Sequence, residues 1–134
     1  MKQGECIDIS FSGIDMHISF DGKINLLAGY SGTGKTLLMK AITLHCAQNG
    51  VSYRYVDYKN KDMSEEEIIS YCKGAKVIML DNADLYITDK LLSKISESAD
   101  IVIMSLKQTH LISMDTVKGY IVHYENMNLE LEGF

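Results

Sequence analysis

The segment Gly29-Tyr30-Ser31-Gly32-Thr33-Gly34-Lys35-Thr36 satisfies G-x-x-x-x-G-K-[ST] in full, and the hydrophobic period changes across it. Before it, Ile24-Asn25-Leu26-Leu27-Ala28 is continuous and mostly apolar, as a strand buried on both faces should be. After it, Leu37, Ala41 and Leu44 fall at i, i+4 and i+7, with Leu38 and Ile42 beside them, so a helix with one apolar stripe follows. Asn49-Gly50 ends that helix. Strand, glycine-rich loop and helix N-terminus in this order make an anion cradle. Glycines at 29, 32 and 34 let the backbone approach a phosphate closely, successive N–H groups point inward, and the helix start adds its unpaired donors. The expected nucleotide contacts are Gly29, Tyr30, Ser31, Gly32, Thr33, Gly34, Lys35, Thr36 and Leu37. Lys35 would place a charge between the β- and γ-phosphates, and the Thr36 hydroxyl would ligate Mg²⁺. The competing explanation is a glycine-rich turn that merely precedes a helix.

The rest of the chain supplies a sheet for that unit. Ile7, Ile9 and Phe11 alternate with Asp8 and Ser10, and Met16, Ile18 and Phe20 alternate with His17 and Ser19 around Ser12-Gly13, which predicts an N-terminal hairpin. Val51 to Asp57 reads as a strand. Ser64 and Glu67 form a capping box for a short helix to about Lys73, and Thr88 caps another to about Ser98 with Ile87 and Leu92 placed as a staple. Val77 to Leu80 and Ile101 to Met104 are buried strands, and Gly119–Tyr124 with Asn128–Leu131 predict a closing hairpin around Glu125-Asn126. Alternating strands and helices imply an α/β fold: a three-layer α/β/α sandwich on a mainly parallel sheet, extended by an antiparallel hairpin at each end.

With 134 residues, 46% of them apolar, residues 1–134 are expected to form one domain with its own core. The net charge of −5 disfavours broad nucleic-acid binding, and the pairs Lys59/Lys61 and Lys73/Lys76 read as solvated side chains. Cys6, Cys46 and Cys72 have no close-spaced partner, so buried free thiols in a reducing compartment are expected rather than disulfides or a zinc site. Met1 to Glu5 lacks an apolar stretch, and no apolar run approaches a bilayer's width, so a cytoplasmic location without a membrane span is expected.

A triphosphate site also needs a carboxylate near the metal, delivered from a strand beside the phosphate-loop strand. Val77-Ile78-Met79-Leu80-Asp81 fits, with Asp81 holding Mg²⁺ through a coordinated water. With these two motifs the chain resembles the additional-strand P-loop ATPases, the division containing RecA-like, AAA-type and ABC-type proteins. Val51 to Asp57 would be the strand that division inserts between the phosphate loop and the acidic strand, and the N-terminal hairpin looks most like ABC-type and AAA-like ATPases. The resemblance implies that Ser105, just beyond Ile101 to Met104, occupies the sensor position that reaches the γ-phosphate or the attacking water. Lys107, Gln108, Thr109 and His110 follow in the same loop; alternatively these residues cap the next helix.

The chain departs from that family in several places. Where the family places a glutamate that polarises water, this sequence has Asn82, which can orient water but cannot take its proton. Asp84 either substitutes for it or is a solvated loop acid. There is no L-S-G-G-Q segment and no helical lid, and the one arginine, Arg54, lies in a predicted strand, where packing or pairing at a sheet edge is expected. The reading is a Mg²⁺–ATP-binding protein, weak or partner-activated as an ATPase, acting as a nucleotide-dependent switch. A protein partner or a second copy would complete its site. A small-molecule or nucleotide kinase and a non-hydrolysing regulatory protein are the alternatives. ATP is favoured over GTP because no N-K-x-D motif occurs.

Overall fold

Alternating apolar residues and a tight turn build one edge of the sheet. β1 (Ile7–Phe11) and β2 (Ile14–Ile18) pair antiparallel, with Ile7 opposite Ile18 and Phe11 opposite Ile14. Ser12 and Gly13 have φ of 53° and 77°, so the two-residue turn is of the primed type whose twist suits a hairpin. The structure is a computed structural model that describes residues 1–29, 34–108, 110 and 112–134.

The remaining elements are β3 (Ile24–Ala28), α1 (Lys35–Gln48), β4 (Tyr53–Val56), α2 (Glu65–Cys72), β5 (Val77–Leu80), α3 (Asp89–Ser96), β6 (Ile101–Ser105), β7 (Val117–Glu125) and β8 (Asn128–Gly133). The chain is α/β. Its strands form one mixed eight-stranded sheet in the order β1-β2-β8-β7-β3-β6-β5-β4. From β7 to β4 every neighbouring pair is parallel. β8 returns antiparallel to β7 and lies parallel to β2, which joins the two hairpins edge to edge.

Two expectations shift here. The closing turn is Asn126-Met127, both at positive φ (51° and 60°), one residue later than Glu125-Asn126; asparagine tolerates that backbone and the hairpin register demands it. The acidic strand β5 is not beside β3, because β6 stands between them. Every residue of β6 is buried, so its most favourable place is the middle of a parallel block rather than the margin.

Side chains alternate across the block and divide into two apolar clusters. Leu27, Met79 and Ile103 pack with Leu38, Met39, Ala41, Ile42 and Cys46 of α1, and with Met16, Ile18 and Phe20. Leu26, Ile78, Leu80, Val102 and Met104 pack with Ile68 and Cys72 of α2 and Leu91, Leu92 and Ile95 of α3. The apolar stripe of α1 therefore runs through Leu38, Ala41 and Ile42 rather than Leu37, Ala41 and Leu44. Leu37 is only partly buried and Leu44 is 41% exposed. The helix carries apolar residues on most of its circumference, so its sequence period leaves its rotation open and packing chooses.

Local capping follows the sequence closely. The Ser64 hydroxyl accepts the Glu67 amide at 3.1 Å while the Glu67 carboxylate accepts the Ser64 amide at 3.2 Å, and Thr88 accepts the Leu91 amide at 3.1 Å. Asn25 is fully buried within β3 and fully used: its side chain donates to the Gly22 and Val102 carbonyls and accepts the Gly22 amide. A buried amide so satisfied pins the turn before β3 and the β3–β6 register together.

The cysteines differ from expectation in one case. Cys46 and Cys72 are buried, but Cys6 is exposed, because it precedes β1 and lies outside the sheet. Burial raises the Cys46 thiol and pushes Cys72 up to about 11. An aromatic disulfide reagent at neutral pH is therefore expected to react rapidly with one thiol of the native protein and with all three only after denaturation; fast native reaction of two or more would contradict this packing. Among the described residues, no helix is long and apolar enough to cross a membrane.

Candidate functional site

The carboxyl ends of β3, β6 and β5 open onto one cleft. In an open parallel sheet this is where a crevice forms, at the point where successive connections leave to opposite sides. Here β3 is flanked by β6 on one side and β7 on the other. The cleft has a volume of about 470 Å³, within the usual range for a small-molecule site, and its floor is the first turn of α1.

Gly34 opens α1 with φ 98°, a backbone that favours glycine, and neither a side-chain cap nor a first-turn acid occupies that helix end. Its first-turn amides and dipole end therefore face the cleft. Lys35 lines the cleft, and its Nζ donates to the Gly29 carbonyl at 2.6 Å. Burial, followed by the nearby Lys107 ammonium, holds the Lys35 amine below its ordinary value, against the opposing pull of Asp81 and Asp84. Tyr30, Ser31, Gly32 and Thr33 lie outside the described residues.

Asp81 is the hub. It follows β5 directly, is 4% exposed, and has its amide fixed on the Val56 carbonyl at 2.8 Å. Three hydroxyls donate to its carboxylate: Thr36 at 3.0 Å and Tyr55 at 2.6 Å to Oδ2, and Ser105 at 2.9 Å to Oδ1. Those donors come from α1, β4 and β6, so one carboxylate gathers three elements. Ser105 Oγ also accepts the Asn82 amide at 2.9 Å. The Tyr86 hydroxyl is shared between the carbonyls of Asp81 and Val56, at 2.7 and 3.0 Å. Burial and the bond to Asp81 push the Tyr55 phenol up, and burial followed by the charge of Asp81 does the same to Tyr86, so both hydroxyls stay donors.

Asn82 has φ 50° and ψ 47°. Asparagine is among the few residues that enter this left-handed region cheaply, whereas glutamate is strained there by about 1–2 kcal/mol. Asparagine at this position thus fits the backbone better than glutamate would. Asp84 does not stand free: its Oδ1 accepts the Lys107 amide at 2.8 Å and its Oδ2 the Gln108 amide at 2.7 Å. That ties the turn after β5 to the loop after β6. Lys107 and Gln108 are held by Asp84 rather than serving only to cap a following helix; Thr109 lies outside the described residues. Leu37 lines the cleft beside Thr36. Arg54 is on the outer strand β4, its Nε donating to the Tyr71 carbonyl at 3.0 Å and its guanidinium 5.1 Å from the Tyr71 ring centre.

Thr36 and Asp81 present hard oxygens close together, the donor chemistry that Mg²⁺ prefers. Among the described residues no group of three or more His, Cys, Asp or Glu could cage a metal, so an ion here would need water and phosphate oxygens as further ligands, as Mg²⁺ commonly takes.

Tyr55 and Tyr86 were not legible from the sequence as site residues. Tyr55 reaches Asp81 because Tyr55 pairs with Met79, two residues before Asp81 on the same strand face. That register is a tertiary fact, and no spacing in the chain encodes it.

Residues 25–119, well over half of the chain and all of the cleft's lining except Tyr124, match the family model described as ATPase family associated with various cellular activities (AAA). No curated protein matches the chain.

Proposed function

Because this chain belongs to the AAA family of ATPases, we propose that its cleft binds Mg²⁺–ATP and acts as a nucleotide-dependent switch with weak, partner-activated hydrolysis. The observation that carries this is the Asp81 hub, three hydroxyls on one buried carboxylate at the mouth of an uncapped helix. Lys35 and the first-turn amides of α1 hold the phosphates. Thr36 and Asp81 hold Mg²⁺, which neutralises charge on the phosphates. Ser105 faces the γ-phosphate or the attacking water, and Asp84 sets the loop that carries Lys107. The reading presupposes a single domain, a three-layer sandwich on a mainly parallel sheet; α1 on one face and α2 with α3 on the other support it.

Slow hydrolysis follows from what the cleft offers. Among the described lining residues the cations are Lys35 and Lys107, and Arg54 is engaged with Tyr71. An arginine supplied by a partner or a second copy would add several orders of magnitude. The strained backbone that glutamate would have at position 82 favours one further reading, a regulatory protein that binds ATP without cleaving it.

The switch is tested at the loop. Amide exchange of Lys107 and Gln108, whose N–H groups rest on Asp84, is expected to be slower with a non-hydrolysable Mg²⁺–ATP analogue than with Mg²⁺–ADP. Identical exchange in the two states would remove the switch while leaving nucleotide binding intact.

A further inference from the structure

The cleft has a second end that phosphate chemistry does not use. β7 pairs with β3 only through Val117 to Ile121, opposite Ile24 to Ala28, yet β7 runs on to Glu125. Its last residues therefore project past the carboxyl end of β3, alongside the start of α1. Tyr120 and Val122 join the cluster beneath α1, and Tyr124, two residues further on the same face, lines the cleft. A Cβ placed on Gly34 would lie 3.7 Å from the Tyr124 Cβ, so the tyrosine stands directly against the residue that opens the helix. Tyr124 is nevertheless 42% exposed, with its hydroxyl braced on the Met127 Sδ at 3.7 Å across the hairpin turn.

Strand order gives this ring a direction. Asp81 follows β5 and Ser105 ends β6, on one side of β3, whereas Tyr124 lies near the end of β7 on the other. A triphosphate laid across the α1 N-terminus with its terminal phosphate toward Asp81 must direct its nucleoside toward β7. There it meets Tyr124, an aromatic residue that lines the cleft with its hydroxyl on the Met127 Sδ.

We propose that Tyr124 is the stacking platform for the nucleobase of the bound nucleoside triphosphate. The inference rests on the nucleotide-binding reading above and names the part of the cleft that the base occupies. Stacking reads the flat face of a base rather than its hydrogen-bonding edge, so this residue separates nucleotides from bare polyphosphate and discriminates little among purines. The loss of one base–aromatic stack lowers affinity by about tenfold.

The test uses the whole chain with Mg²⁺ and a ribose-labelled fluorescent ATP, displaced either by unlabelled ATP or by tripolyphosphate. Wild type is expected to prefer ATP over tripolyphosphate. Tyr124→Ala should weaken ATP by about tenfold and leave tripolyphosphate unchanged, and Tyr124→Phe should match wild type. Equal loss of both competitors, or unchanged ATP affinity in Tyr124→Ala, would overturn the platform, the first by making Tyr124 a support for the phosphate cradle. A wild type that binds ATP and tripolyphosphate equally would also overturn it, without any variant and with phosphate binding still standing. A wild type that binds neither would overturn the nucleotide reading itself.

Discussion

Lys35→Ala is expected to bring Mg²⁺–ATP-dependent phosphate release down to background and to weaken nucleotide binding by roughly ten- to a hundredfold. The lysine is at the first position of α1, where its charge adds to the donors of an uncapped helix end. Partial burial and Lys107 make its ammonium costlier to keep charged, and triphosphate oxygens would offset that cost. Its present partner, the Gly29 carbonyl, is a neutral acceptor that a phosphate oxygen would replace with a stronger, charged one. The measurement is steady-state phosphate release at saturating Mg²⁺–ATP, run beside wild type purified by the same steps, with binding followed separately. If wild type and variant release phosphate at the same rate, intrinsic hydrolysis is excluded, and intact binding by the wild type would then favour the non-hydrolysing regulator. If binding is also unchanged in the variant, the phosphate assignment of the cleft fails.

Asp81→Asn should have the other large effect, in two separable readouts. The amide replaces one acceptor oxygen with a donor, so of the hydroxyls of Thr36, Tyr55 and Ser105 at least one loses its acceptor in a buried or part-buried setting. Bonds to a charged acceptor contribute about 1.5–3 kcal/mol each and do not add independently, so a loss of about 2 kcal/mol in urea unfolding of the nucleotide-free protein is expected. Separately, Mg²⁺ should cease to affect ATP affinity, because the carboxylate oxygens near Thr36 are gone, while affinity in excess chelator stays near wild type. An Asp81→Asn protein that retains full magnesium dependence would show that the metal is held elsewhere. A protein that keeps wild-type stability would show that the hydroxyls find water at no cost.

The parts of the candidate site that the sequence suggests are those whose signals are local in the chain. Gly29 to Thr36 can be read because the loop, its lysine and the helix start are adjacent in the chain, and Asp81 because it follows an unbroken apolar strand; Ser105 is suggested only by the family resemblance. Capping at Ser64 and Thr88 is equally local. What stayed hidden depends on strand order and register. That β6 separates β3 from β5, that Tyr55 meets Asp81, and that Asp84 receives two amides from the next loop all follow from pairings between segments more than twenty residues apart. The rotation of α1 was hidden for a different reason. Leu37, Leu38, Met39, Ala41, Ile42 and Leu44 encircle it, and a helix apolar on most sides does not declare which side it buries.

Arg54 carries a consequence beyond the cleft. It sits on β4, the last strand at its end of the sheet, and its Nη1 donates to the carbonyl of Tyr53 beside it while its Nε reaches α2. A margin of unpaired backbone invites other chains to dock and continue the ladder. This strand is only four residues long and one of its carbonyl oxygens is already taken by a bulky cation. The lone arginine of the sequence thus acts as a doorstop on this margin, occupying an acceptor that a docking strand would need.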